Sequence, residues 1–189
     1  MSTPRCRPAI LALLFVWALT ITSQVAAEFS VKEVRTKNNG DSLILDARID
    51  YGFSEDAMEA LDNGVPLTLE VHVQLRNSNA WVWDESLVDQ RLRYTIRYKP
   101  LSERYLVTQL PGDEGRSYVT RDAAIAALGE IEGLQLVSVE RLQEEDGPYE
   151  IQIRASLDIE ELPLPLRPIA YLYPSWKLSS GWTIWPLKP

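Results

Sequence analysis

Residues 67–76 read LTLEVHVQLR, and their side chains sort by parity: Leu67, Leu69, Val71, Val73 and Leu75 against Thr68, Glu70, His72, Gln74 and Arg76. A strand turns successive side chains to opposite faces, so this stretch predicts a β-strand with one dry and one wet face. The pattern recurs on both sides. Leu43, Leu45, Ala47, Ile49 and Tyr51 share one parity, while Ile44, Asp46, Arg48 and Asp50 share the other. Downstream, Val88, Leu92, Tyr94, Ile96 and Tyr98 oppose Asp89, Arg91, Arg93, Thr95, Arg97 and Lys99. Tyr149, Ile151, Ile153, Ala155 and Leu157 oppose Glu150, Gln152, Arg154, Ser156 and Asp158. Shorter candidate strands cover residues 29–36, 81–84, 104–110, 134–142 and the tail from Trp176 to Trp185. Repeated one-sided burial is the mark of antiparallel sheets. The expected class is mainly β: an antiparallel β-sandwich, immunoglobulin-like, with two short helices, and a closed barrel as the alternative.

Turn chemistry punctuates these runs. Asn38-Asn39-Gly40-Asp41 predicts a hairpin, because Asn and Gly tolerate positive φ. Pro111 to Gly115 and Glu144 to Pro148 read as exposed acidic loops. Ser54 is placed to cap a helix that ends at Asp62-Asn63-Gly64, and Thr120 to cap one from Arg121 to Leu128, stopped by Gly129. Leu162 to Pro168, with prolines at 163, 165 and 168, cannot be a central strand, since proline lacks the ladder donor. It reads as an extended strap over the core.

The N-terminus has a different character. Arg5 and Arg7 precede an apolar run from Ala9 to Ile21, and Val25-Ala26-Ala27 places small or aliphatic side chains before a cut after Ala27. That is the layout of a secretory signal, and the run is short of the roughly 20 residues that span a bilayer. The expected organisation is a signal peptide over 1–27 and a single domain over 28–189, periplasmic or secreted; an uncleaved inner-membrane anchor is the alternative. Cys6 lies before the apolar run, wrongly placed for lipidation, and leaves with the signal. The mature chain then has no cysteine and no membrane span, and holds 17 basic against 27 acidic residues, a net charge of −10. Such a balance argues against nucleic acid and anionic lipid as partners.

Gly40-Asp41-Ser42-Leu43 spells the nucleophile block of a large esterase family. Its serine would need a histidine base, and the single histidine, His72, sits mid-chain on a strand. The context reads as a hairpin, so the hydrolase reading is remote. One imidazole without a ligand pair gives no zinc site, and no cofactor is expected. Arg91, Arg93, Arg97 and Lys99 line one strand face, as an anion site or as partners of acidic stripes such as Asp46, Asp50 and Glu70. Trp81 and Trp83 share a face, and Trp176, Trp182 and Trp185 crowd the C-terminus with Tyr171 and Tyr173. Such aromatics stack on sugars, anchor an interface, or pack a core.

The C-terminal strings are more specific. Arg154-Ala155-Ser156-Leu157-Asp158, Leu162 to Arg167, Tyr173-Pro174-Ser175-Trp176 and Ser180 to Leu187 resemble the uncharacterised proteobacterial family called domain of unknown function 4390. Ala60 to Leu67 and Arg97-Tyr98, followed by Leu101-Ser102 and Tyr105, are similar to it as well. The resemblance implies an exported protein associated with envelope signalling through a membrane sensor histidine kinase, and carries no catalytic or binding residues with it. The expected function is a non-catalytic periplasmic interaction module whose partner is another envelope protein. A small-ligand or glycan binder using the Trp/Tyr-rich surface is the alternative.

Overall fold

The computed structural model describes residues 28–79, 86–112, 114–144 and 147–187. The N-terminal apolar run, Cys6, and Trp81 and Trp83 with the strand expected over 81–84 lie outside the described residues. The fold is mainly β, with two antiparallel sheets and a few short helices, as the alternation predicts.

β1 (Phe29–Asn38) and β2 (Ser42–Tyr51) form the expected hairpin, with Asn38 opposite Leu43. Gly40 takes φ 100°, a value that suits a residue without Cβ. The Asn38 side-chain oxygen accepts from the Gly40 N–H at 2.8 Å, and that of Asn39 from the Ser42 N–H at 2.9 Å. β7 (Glu130–Ser138) pairs with the other side of β2, completing a three-stranded sheet in the order β1-β2-β7.

The second sheet is twice as wide. β3 (Leu67–Asn77), β4 (Val88–Lys99), β5 (Arg104–Leu110) and β6 (Gly115–Tyr118) run as a meander. β8 (Tyr149–Leu157) pairs with the free side of β3, and β9 (Thr183–Pro186) with β8. The order is β6-β5-β4-β3-β8-β9. Leu67, Leu69, Val71, Val73 and Leu75 have no solvent exposure, and the matching parity of β2 and β8 is buried with them. One continuous core joins the two sheets, the alternation between faces having been read correctly from sequence.

Both expected helices form. In α1 (Glu55–Asp62) the Ser54 hydroxyl accepts from the Ala57 N–H at 3.2 Å, and in α2 (Arg121–Leu128) the Thr120 hydroxyl accepts from the Ala123 N–H at 3.3 Å. Leu61 and Leu128 plug them into the core.

Four local expectations need correction. The strand expected over 134–142 begins earlier, at Glu130, and ends at Ser138; Val139–Glu144 is helical (α3), its start marked by the Ser138 hydroxyl near the Arg141 N–H at 3.4 Å. β6 occupies part of an expected acidic loop, because β5 offers it a pairing edge. The extended strap ends in a helix, α4 (Arg167–Leu172), with Pro168 in its first turn, where no N–H is needed. The C-terminal strand is only Thr183–Pro186, since Pro174–Trp176 form a 3₁₀ turn.

At one end of the core Phe29, Tyr51 and Phe53 cluster, with the rings of Phe29 and Tyr51 edge to face at 4.8 Å. Burial, followed by the neighbouring Tyr94, pushes the Tyr51 phenol far above its ordinary value, and its hydroxyl has no hydrogen-bond partner. An unpaired buried hydroxyl costs free energy. Tyr51→Phe is therefore expected to raise stability by about 1 kcal/mol in urea unfolding, whereas Leu69→Ala, which leaves a void in the fully buried centre of β3, is expected to lower it by about 2–5 kcal/mol.

Candidate functional site

Because the odd residues of β3 face the core, its even residues face outward, together with the polar parity of β4 and β8. This outer face holds the sequence-predicted cations. Arg93 reaches Glu161 at 2.7 Å and Asp158 at 3.3 Å, and Arg91 lies 3.9 Å from Glu70. The Glu161 contact, more than the cost of partial burial, raises the already high Arg93 value. Arg97 is exposed and forms no ion pair among the described residues. Asp46 and Asp50 lie on the other sheet, paired with Lys37 and Lys32, so the arginine stripe draws its partners from β3 and from the turn after β8.

His72 lies on the same outer face. Its Nε2 is 2.7 Å from an Asp89 oxygen, Gln74 donates to the other Asp89 oxygen at 2.7 Å, and the Trp182 ring sits 4.9 Å from the imidazole. Partial burial pushes the Asp89 carboxyl up, but the hydrogen bonds from Gln74 and His72, helped by Arg91, outweigh it and hold the value low. Ser42, in contrast, is buried at the start of β2, where its hydroxyl accepts from Gln135 of β7 at 2.8 Å. The serine and the histidine belong to different sheets, each engaged with its own neighbours, so they form no nucleophile–base pair. Among the described residues no group of three or more His, Cys, Asp or Glu can hold a metal ion.

The C-terminal aromatics divide. Trp176 is 4% exposed and packs inside, Trp182 is 42% exposed over His72, and Trp185 is half-buried with its indole N–H unpartnered. They do not form one stacking platform. What the structure exposes instead is the segment from Pro163 to Pro174. Leu162, Ala170, Trp176 and Leu178 anchor it from beneath. Arg167 clips it by donating to the Leu162 carbonyl at 2.7 Å, and Ser175 by donating to Asp56 of α1. Above these anchors Leu164 (73%), Leu172 (78%), Ile169, Tyr171 and Tyr173 face solvent. A groove of about 500 Å³ runs between this segment and α1, bordered by Asp56, Glu59, Ile169 and Tyr173.

The family model described as Domain of unknown function (DUF4390) matches residues 26–186. The chain belongs to that family. No curated protein and no solved structure matches the chain. The matched span takes in both sheets and the apolar segment, so the DUF4390 domain includes these surfaces.

Among the described residues of this DUF4390 chain, no helix is long and apolar enough to cross a membrane. Sequence reasoning singled out the tryptophans and missed the leucines beside them. Leu164 and Leu172 carry no local mark of exposure, but an alternation of proline with leucine that fits neither helix nor strand periodicity was a usable sign.

The Asp89 cluster gives a pH dependence of known sign. A carboxyl whose folded value is depressed contributes stability above its unfolded value, near 3.9, and that contribution is lost as pH falls through the lower folded value. Asp89→Asn is expected to lower the melting temperature at pH 7 and to converge on the parent as pH falls below the depressed folded value. A constant offset across that range would contradict the assignment.

Proposed function

We propose that this DUF4390 protein is exported to the periplasm and acts there as a non-catalytic interaction module, docking another envelope protein through the Pro163–Pro174 segment. The observation that carries this reading is the cluster of Leu164, Ile169, Tyr171, Leu172 and Tyr173 held open to solvent by a buried anchor row. Several large apolar side chains exposed along one segment are a mark of interaction sites on folded domains. Leucine and tyrosine side chains over a rigid base suit a partner's apolar anchor, and Asp56 and Glu59 at the groove rim favour a basic flank on it. Export is supported by the basic start, the apolar run from Ala9 to Ile21 and the small residues before Glu28. With Ser42 bonded to Gln135 and His72 to Asp89 on different sheets, the esterase reading of the Gly40–Leu43 block lacks its base. A membrane sensor kinase is the partner this reading puts first.

Two measurements test it. Mass spectrometry of the protein recovered from the periplasm is expected to find a new N-terminus at Glu28; recovery of the intact chain from the cytosol would sink the export reading. A photo-crosslinking amino acid in place of Leu172 is expected to capture one envelope protein in cells, and one in place of Arg97 on the outer sheet face to capture none. Leu164→Asp in the first background is expected to reduce the adduct about tenfold, the cost of placing a charge in an apolar contact. Equal labelling from both positions would reject the docking surface.

A further inference from the structure

The three-stranded sheet is half as wide as the sheet it packs on, and among the described residues the mismatch leaves part of the larger inner face uncovered. By parity and register the uncovered floor is Leu92 and Tyr94 of β4, Val107 and Gln109 of β5, and Arg116 and Tyr118 of β6. Its side wall is β7 from Glu130 to Gln135, and Ala127 of α2 closes against it. The resulting cleft has a volume of about 560 Å³.

Among the described residues β7 is an outer strand, paired with β2 on one side only, and its other edge faces this cleft. One contact shows the direction: Gln90, on the inner parity of β4, donates its side-chain N–H to the Gln135 carbonyl at 3.0 Å. The other sheet edges are guarded in familiar ways. β1 carries Lys32, Glu33, Arg35 and Lys37 and a register shift between Val31 and Glu33, while β6 and β9 are four residues long and β9 ends in Pro186. β7 runs nine residues, without proline; its guards are the exposed Glu130 and Glu132 and two register shifts in its pairing with β2. Its bend at Gly133, φ 68°, is held by Asp46, which accepts the Gly133 N–H at 2.9 Å. That contact and Lys37, the larger influence, keep the Asp46 carboxyl low.

We propose that the outer edge of β7 receives an extended polypeptide segment of another protein, paired as a fourth strand, with apolar side chains on the cleft floor and basic ones beside Glu130 and Glu132. A fourth strand at the usual spacing of about 4.8 Å from β7 would lie over β4 and β5 at the usual sheet separation of about 10 Å. That is where the uncovered floor lies. Backbone pairing supplies the affinity in such additions, and alternate side chains supply the choice of partner. The inward positions meet Leu92, Tyr94 and Val107. The outward positions flank Glu130 and Glu132, which are exposed and form no ion pair among the described residues. Arg48 stands opposite Glu130 in the β2 register, and among the described residues Arg116 is the one basic side chain lining the cleft, against Glu114, Glu130 and Glu132. The charge thus selects Lys or Arg at the two outward positions beside Glu130 and Glu132. The site goes beyond the docking segment proposed above and uses none of its residues.

The probe is a fluorescein-labelled decapeptide alternating valine or threonine with lysine, titrated into the whole chain and read by anisotropy. Saturable binding is expected, weakened about tenfold when glutamate replaces lysine, or by Glu130→Lys with Glu132→Lys. Both substitutions are on exposed positions, and circular dichroism confirms the fold. Backbone N-methylation of every second residue is expected to abolish binding in one phase and to leave it unchanged in the other, because only one edge of the peptide pairs. Three results would each overturn the proposal: no saturable binding, equal binding by a peptide of the same composition with its lysines in one block, or equal binding by both N-methylated forms. The crosslinking at Leu172 is independent of all three.

Discussion

Strand β3 is the member on which the rest is assembled. It lies between β4 and β8, with Leu67, Leu69, Val71, Val73 and Leu75 wholly out of water. Apolar burial of that kind is worth roughly 25 cal/mol per Å², and a chain whose described residues contain no cysteine has no crosslink to share the load. Turning these five side chains inward turns Thr68, Glu70, His72, Gln74 and Arg76 outward. The polar outer face, with its Arg93–Glu161 and His72–Asp89 contacts, is therefore a consequence of the core rather than a separate device. A shift of one residue in β3 would place five apolar side chains in water and His72 in the core.

Sheet width is the second constraint. A three-stranded layer cannot cover a six-stranded one, and the protein covers the difference unequally. At one side α2 and its Leu128 fill in, and the segment after β8 folds back with Leu162, Ala170, Trp176 and Leu178. Beside β7 the covering is incomplete, which leaves a cleft with a strand edge as its wall. Among the described residues, these two surfaces are of different kinds. The C-terminal segment offers side chains over a fixed backbone; β7 offers backbone over a fixed floor. A folded partner is proposed for the first and an extended one for the second.

Much of this was legible in the chain. The parity of β2, β3, β4 and β8, the turn at Asn39-Gly40 and the caps at Ser54 and Thr120 depend on contacts within a few residues, and sequence reading found them all. β6 and the first half of β7 were missed for the opposite reason. Glu130-Ile131-Glu132-Gly133 and Gly115-Arg116-Ser117-Tyr118 have little strand character of their own, and are strands because β2 and β5 present edges to them. α4 was missed because proline was read only as a strand breaker, though the first turn of a helix accepts it. Trp176 and Leu172, four residues apart in one apolar stretch, end up at 4% and 78% exposure, and nothing in their local spacing separates them.

The sequence by itself determined which side chains share a face, where the chain reverses and where helices begin, because covalent geometry alternates side chains and short-range hydrogen bonds set turns and caps. Only the tertiary structure decided which strands are neighbours, which edge stays open and which apolar residues reach solvent. Those outcomes depend on pairing and burial between segments such as Ser42 and Gln135, 93 residues apart. No local pattern encodes the competition among distant segments for the same edge and the same core.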